Sequence, residues 1–343
     1  MKRAACCWRA ASALAEWLYE TGIGEARAAL VEDGAIIEAV IETDAARLRV
    51  GTVTDAPLTQ IMIPRVRGVA MLADDSEVLI EPLARGWTEG AAVRVEIVRE
   101  VIAEPGRAKR AKARPADGLE PVQGPDLRAR LAASGLPVTD VGMTGEDRLE
   151  DAGWTEVLES ASSGLVDFPG GTLVISPTPA MTVIDVDGHL LPDALALAAA
   201  DAVARTIRRL GIAGSIGVDF PTVGGKAERI ALGDAFDAVL PPPFERTAVN
   251  GFGFMQVVRP RARASLIEQI QGDPAGHAAR ALLRRAQRSQ LIGSVMLAAH
   301  PAVIAVLAAR PDWTEALGRT LGGAVTLRSD PAIAMSGGYA EPA

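Results

Sequence analysis

The stretch Thr172-Leu-Val-Ile-Ser-Pro-Thr-Pro-Ala-Met-Thr-Val-Ile-Asp-Val-Asp-Gly188, followed beyond one Ala- and Leu-rich segment by Ser215-Ile-Gly-Val-Asp-Phe220, decides the fold of this 343-residue chain. Thr172 to Ser176 reads as a strand, Pro177 to Ala180 as a turn, and Met181 to Gly188 as a second strand ending in acids. Short runs rich in Val and Ile, bounded by Pro and Gly, are the pattern of buried strands. Pro192 to Leu210 then reads as a helix: Pro192 is tolerated in the first turn, and Arg205, Arg208 and Arg209 suit the C-terminal end of the dipole. Gly211 and Gly214 end it, and Ser215 to Phe220 is a third strand. Strand, helix, strand is a crossover that sets two parallel strands side by side.

Asp185 and Asp187 are two residues apart, so on an extended strand both side chains leave one face. Asp219 ends the strand after the crossover, and in open α/β sheets ligands sit outside the carboxyl ends of strands. The three acids are expected to converge at one edge as both the catalytic residues and the metal ligands. Carboxylates without His or Cys prefer hard cations, so Mg²⁺, with Mn²⁺ as an alternative, is the expected occupant. Such an ion would bridge phosphate oxygens and promote hydroxide attack, which makes phosphodiester hydrolysis the natural reaction. The plainer alternative is turn-forming or helix-capping acids.

Upstream, Glu25 to Val31 and Ala35 to Glu42 flank Asp33-Gly34, a dipeptide suited to a hairpin turn. These make residues 17–45 the N-terminal strands of the core, after a leader without structure over 1–16. Short strand-like runs at Arg47 to Thr54, Gln60 to Leu72, Ser76 to Leu83 and Ala92 to Ile102 predict a small barrel, of which the OB type is the natural candidate, over 46–103. Residues 104–126 read as a basic linker in which Arg107, Lys109 and Lys112 are candidate RNA contacts, and 127–169 connects, with helices near Asp126 to Ser134 and Trp154 to Ser162. The catalytic α/β domain is expected over 170–270. After a helix near Lys226 to Leu240, it holds a strand at Gly253 to Val258 and then Arg259, Arg261 and Arg263, which alternate on an extended segment as further candidate RNA contacts. Residues 271–343 predict helices near His277 to Gln290, Pro301 to Ala309 and Trp313 to Leu321, and a last strand at Ala324 to Arg328. Arg280, Arg284, Arg285 and Arg288 recur at helical spacing, as a face for RNA phosphates or for solvent.

Composition narrows the classes. Hydrophobic residues make up 49% and aromatics 4%, a globular core of Ala, Val, Leu and Ile. No apolar run reaches the length of a membrane span. A net charge of -8 gives no global attraction for a polyanion, so nucleic-acid binding must rest on local basic patches and bridging metal. Cys6 and Cys7 are the only cysteines, which excludes a Cys-rich zinc site, argues against a disulfide framework and fits a reducing cytoplasm.

Gly170-Gly-Thr-Leu-Val-Ile-Ser-Pro-Thr-Pro-Ala-Met-Thr-Val-Ile-Asp-Val-Asp187, then Ala198 to Leu210 and Ile212 to Phe220, resembles the catalytic segment of the ribonuclease E/G family. There a Gly-Gly strand precedes Ile-Asp-x-Asn, and a helix leads to a strand ending in Ile-Asp-Phe. Asn250-Gly-Phe-Gly-Phe-Met-Gln-Val-Val-Arg-Pro-Arg261 resembles a further family segment. The resemblance implies a multidomain α+β or α/β chain: an RNase H-like nuclease core with an OB-type RNA-binding barrel inserted near the N-terminus. It implies a Mg²⁺-dependent endoribonuclease acting on single-stranded RNA in processing or decay. Asp185 and Asp219 match the family's metal-binding aspartates, and Asp187 stands where Asn is usual. The chain departs in lacking the Cys-Pro-x-Cys link that joins subunits through zinc, so no structural zinc is expected and any homo-oligomer forms without it. The loop after Asp187 is compressed to Gly-His-Leu-Leu-Pro, and the pocket that senses a 5′-monophosphate cannot be located.

Two other readings compete. A catalytically silent RNA-binding paralogue would keep the barrel. Val183-Ile-Asp-Val-Asp-Gly-His-Leu190 also resembles the first motif of haloacid dehalogenase-type phosphatases, with Asp185 as nucleophile and Asp187 as general acid. That chemistry needs a downstream lysine, and Lys226 is the one lysine after Asp185. His189 is at most a loop contact, and Gly224-Gly-Lys226 is a turn before a helix rather than a phosphate-binding loop.

Overall fold

The computed structural model describes residues 15–44, 48–104, 107–143 and 145–343. The expected leader lies outside the described residues up to position 14, and its last residue, Glu16, already opens a strand. Strands β1 (Glu16–Thr21), β2 (Glu25–Glu32) and β3 (Ala35–Thr43) form an antiparallel meander. Its second turn is Asp33-Gly34, with φ of 50° and 78°, as the hairpin expectation required.

A closed barrel of five strands among the described residues follows. It comprises β4 (Val53–Ile63), β5 (Arg67–Met71), β6 (Glu77–Ile80), β7 (Ala92–Arg99) and, after the hairpin of β8 (Ile102–Glu104) and β9 (Arg107–Lys109), β10 (Ala111–Pro115). Strand β10 closes the wall, parallel to β6 and antiparallel to β7. The barrel therefore extends beyond the expected boundary at 103, and its last strand lies inside the stretch read as a basic linker. Ala111 and Ala113 enter the barrel core while Lys112 and Arg114 alternate with them. Alternation written in alanine, a poor strand former, looks like loop composition. The chain enters and leaves the barrel side by side: Val53 and Val122 exchange both backbone hydrogen bonds, at 2.9 and 3.0 Å.

Helix α1 (Leu127–Ala132), capped by Asp126, precedes β11 (Val138–Asp140), which joins β1 in parallel and completes a sheet of order β11-β1-β2-β3. Helices α2 (Arg148–Asp151) and α3 (Trp154–Ser163) follow. The second sheet contains β12 (Leu165–Phe168), β13 (Gly171–Pro177), β14 (Thr182–Gly188), β15 (Gly214–Asp219), β16 (Glu245–Arg246) and β17 (Phe254–Arg259), in the order β12-β13-β14-β15-β17-β16. It starts before the expected position 170, because β12 pairs with β13 across the Pro169-Gly170 turn. Helix α4 (Pro192–Arg209) is the crossover between the parallel β14 and β15; α5 (Lys226–Asp237) and α6 (Leu266–Gly272) complete this part.

One apolar core joins the two sheets through a layer of helices: Leu18 and Ile36 from the first sheet, Val157 of α3, Val203 of α4, and Ile184 and Val218 of the second sheet belong to it. This sandwich covers one face of the second sheet; the acids leave from the other. No helix among the described residues is long and apolar enough to cross a membrane.

Residues 274–342 build a further α/β unit with its own core. It consists of α7 (Pro274–Arg288), β18 (Val295–Ala299), α8 (Pro301–Ala309), α9 (Pro311–Leu321), β19 (Val325–Ser329) and β20 (Tyr339–Pro342), with sheet order β19-β18-β20. Helix α7 turns Arg280, Arg284 and Arg288 inward, onto the strands β1 and β2. Arg27 donates to Glu20 at 2.6 and 3.0 Å and to Asp147 at 3.1 Å, with Arg27 and Glu20 only 2% and 1% exposed. Arg288 pairs with Glu20 and, at 3.0 Å, with Asp147; Arg284 pairs with Glu25, and Arg280 reaches Glu25 at 3.3 Å. Arg285 points elsewhere and donates to the carbonyls of Ser336 and Gly338. The basic face of the tail helix is thus neither solvated nor open to RNA at these three positions. Its counter-charges come from strands some 260 residues earlier, such as Glu25 to Arg284.

Candidate active site

Register sets the site. Val174, Asp185, Asp219 and Phe254 are successive Cα partners across β13, β14, β15 and β17, so they form one row on the uncovered face of the second sheet. Neighbouring strands lie about 4.8 Å apart, which puts the Asp185 and Asp219 carboxylates within reach of one ligand. Both residues are exposed, and the flanking Ile184, Val186 and Val218 point into the core and fix the orientation of the acids. Asp187 leaves the same face one pleat further on, about 7 Å along the strand. Its partner is Thr172 on β13, because β15 has already ended at Asp219. The acids also lie within a strand that runs to Gly188, rather than in a loop after it. One oxygen of Asp185 accepts from the Val186 amide at 2.9 Å.

The expected convergence of three acids is therefore a side-by-side pair with a third on the same face. Among the described residues, no group of three or more His, Cys, Asp or Glu closes on a point that could hold a metal ion. The paired carboxylates are an all-oxygen donor set, which fits a hard divalent cation. His189 sits exposed in the loop beyond, its amide bonded to the Gly170 carbonyl at 3.1 Å.

Two phenylalanines complete the face. Phe254 reaches over Gly217, where a β-carbon would come within 2.8 Å of the ring, so glycine leaves the room the ring needs beside Asp219. Phe252 is 84% exposed at the tip of a turn next to the same strand end. That turn is rigid: Asn250 Oδ1 accepts from the amides of Phe252 and Phe254 at 2.9 and 3.1 Å. Gly253 has φ 91° and approaches Phe220 so closely that a β-carbon would stand 2.1 Å from its carbonyl oxygen. An aromatic ring held in water by such a turn has the form of the platforms on which bases stack in other proteins. On the RNA-binding reading proposed below, Phe252→Ala is expected to weaken binding of a single-stranded oligoribonucleotide by about 1–3 kcal/mol without moving the unfolding midpoint. Fluorescence anisotropy alongside thermal melting checks both. Neither ring stands out from composition or period; the signal in the sequence is the alternation Gly251-Phe-Gly-Phe254.

The candidate RNA contacts lie elsewhere. Arg259 is at the opposite end of β17 from Phe254 and donates to the carbonyls of Ile207 and Ile212, at 3.4 and 2.9 Å. Arg261 pairs with Glu268, and Arg263 bonds Glu100 at 3.0 Å, which ties the barrel to the core. Lys112 is on the barrel wall, paired with Glu81 at 3.1 Å; Arg107 and Lys109 bound the short strand β9. The structure thus groups the acids together and sends the cations to other surfaces. No protein-family model matches the chain, and no curated protein does.

Proposed function

We propose that the chain is a metal-dependent endoribonuclease of the ribonuclease E/G type that cuts single-stranded RNA. The observation that carries this is the parallel register of Asp185 with Asp219 on an uncovered sheet face. Asp185 and Asp219 would hold a Mg²⁺ or Mn²⁺ ion, with Asp187 the next carboxylate on that face. Such an ion supplies charge neutralisation at the phosphate and a more acidic bound water. The protein's own part is positional: the strands fix the acids, while Phe252 and Phe254 offer flat surfaces on which bases stack and by which the backbone is oriented.

The barrel supports an RNA substrate. We take it as OB-type, the five-stranded Greek-key barrel that presents its second and third strands and two of its loops to oligonucleotides. The loop between its last two strands contains the hairpin of Arg107 and Lys109, so part of the basic run belongs to a ligand-facing loop. The cytoplasm is the proposed setting, and RNA processing or decay the proposed role.

The phosphatase alternative is less well supported, because Asp185 and Asp187 lie inside a strand and Lys226 begins a separate helix. Incubation with end-labelled single-stranded RNA, with and without Mg²⁺, beside Asp185→Asn, tests the proposal. Internal cuts are expected only with metal and intact Asp185. RNA bound and never cut would mark a silent paralogue, and an aspartyl-phosphate trapped on Asp185 would mark a phosphatase.

A further inference from the structure

Strand β12 is an outer strand of the second sheet, bonded to β13 on one side only. The Ile175 amide donates to the Gly164 carbonyl at 2.7 Å, which fixes the alternation of this antiparallel pair. Val166 and Phe168 therefore bond to β13, while Leu165 and Asp167 turn their amides and carbonyls to the free edge. Ser163 Oγ accepts from the Leu165 amide at 3.1 Å; the Asp167 amide and both carbonyls meet no protein donor or acceptor among the described residues. Lysine, proline and bulges are common guards of such an edge, and the run Leu165-Val-Asp-Phe168 contains none of them.

Beside that edge a groove of about 320 Å³ separates β12 from α4. Val166 and Phe168 line one side, and Ala198, Ala202 and Arg209 line the other at the spacing of one helix face. The two alanines leave room for larger side chains to enter. Asp201 and Arg205, on the same wall, pair with each other at 2.7 Å. The Asp167 carboxylate lies on the opposite face of the sheet, where it accepts from Thr172 Oγ1 at 2.6 Å. Arg209 is half-buried and meets no carboxylate among the described residues, and burial alone lowers its pKa. The groove thus presents one cation without an answering charge. On the other face of the same strand, Leu165 is 49% exposed.

We propose that β12 and α4 form a docking site for an extended acidic segment of a partner protein, which adds to the second sheet as a further strand. The backbone of the added strand meets the free amide of Asp167 and the free carbonyls of Leu165 and Asp167. Its alternate side chains enter the groove, where an apolar one rests against Ala198 and Ala202 and a glutamate or aspartate reaches Arg209. Strand addition draws affinity from main-chain hydrogen bonds and specificity from pockets for alternate side chains. The site takes nothing from Asp185 or Asp219, so it stands if the nuclease reading fails.

The test is titration of the full chain into a fluorescein-labelled peptide of alternating valine and threonine with one central glutamate, read by anisotropy. Two further peptides carry glutamine or proline in place of that glutamate. Saturable binding of the glutamate peptide is expected, weaker by about tenfold or more for the glutamine peptide, which lacks the charge-assisted hydrogen bond, and lost for the proline peptide, which cannot continue a ladder. Arg209→Gln should abolish the preference for glutamate over glutamine while both peptides still bind, a result that general unfolding would not give. Asp167→Pro removes an amide that faces away from β13, so it should abolish binding and leave the circular dichroism spectrum unchanged, whereas Asp167→Asn should bind as the unaltered chain does. No saturable binding of the glutamate peptide, equal binding of the proline peptide, or an unaltered glutamate preference in Arg209→Gln overturns the proposal. So does a dimer in sedimentation that Asp167→Pro converts to a monomer, which would give the edge to a second copy of the chain.

Discussion

Arg27→Met is expected to lower the stability of the protein by about 3–5 kcal/mol. The guanidinium holds Glu20 and Asp147 together and lies 5.1 Å from the Trp154 ring centroid. Its loss leaves a carboxylate that is 1% exposed leaning on Arg288 and Arg284 alone. Removing one partner of a buried pair is strongly destabilising because the remaining charge is uncompensated, whereas removing both is far milder. Glu20→Gln combined with Arg27→Met should therefore recover part of the loss. Guanidinium unfolding followed by circular dichroism reads both effects. A loss under about 1 kcal/mol would mean that the cluster is solvated and that α7 does not dock on the first sheet as described.

Asp219→Asn is expected to reduce Mg²⁺-dependent RNA cleavage by at least about a hundredfold, since even outer-sphere groups of metal sites contribute factors of 10–100. Asp219 is exposed, so stability should change by no more than about 0.5 kcal/mol. The register adds a sharper test. If Asp185 and Asp219 act on one ion, the double variant Asp185→Asn/Asp219→Asn should be no slower than either single variant, because groups that work as a unit are non-additive. Single-turnover rates at saturating RNA decide it; independent, multiplicative losses would separate the two acids and dissolve the site.

Much of this was legible in the residues. The crossover from β14 through α4 to β15 follows from period and punctuation, and a crossover of that kind sets Asp219 beside Asp185. Turns with strong chemistry, such as Asp33-Gly34, were equally plain. Short alanine-rich strands such as β10 and β18 were hidden, since their burial depends on partners and not on their own propensity. The arginines of α7 show the harder limit: periodicity reveals a basic face, but what it meets is decided by Glu20 and Glu25 on distant strands. Alternating arginines read as cations for a polyanion, but Arg259 closes β17 at the end away from the acids and Arg263 lies in the segment beyond it, so both fall far from Asp219.

The twin valines that clasp each other at the mouth of the barrel, Val53 and Val122, make everything between them a pendant loop on a narrow neck. A module so attached can be gained, lost or exchanged for another without disturbing the register of what flanks it, because its two ends already touch. What a transplanted module would still have to supply is a second tether, the carboxylate of Glu100 gripping Arg263, which turns a dangling appendage into one aimed in a fixed direction.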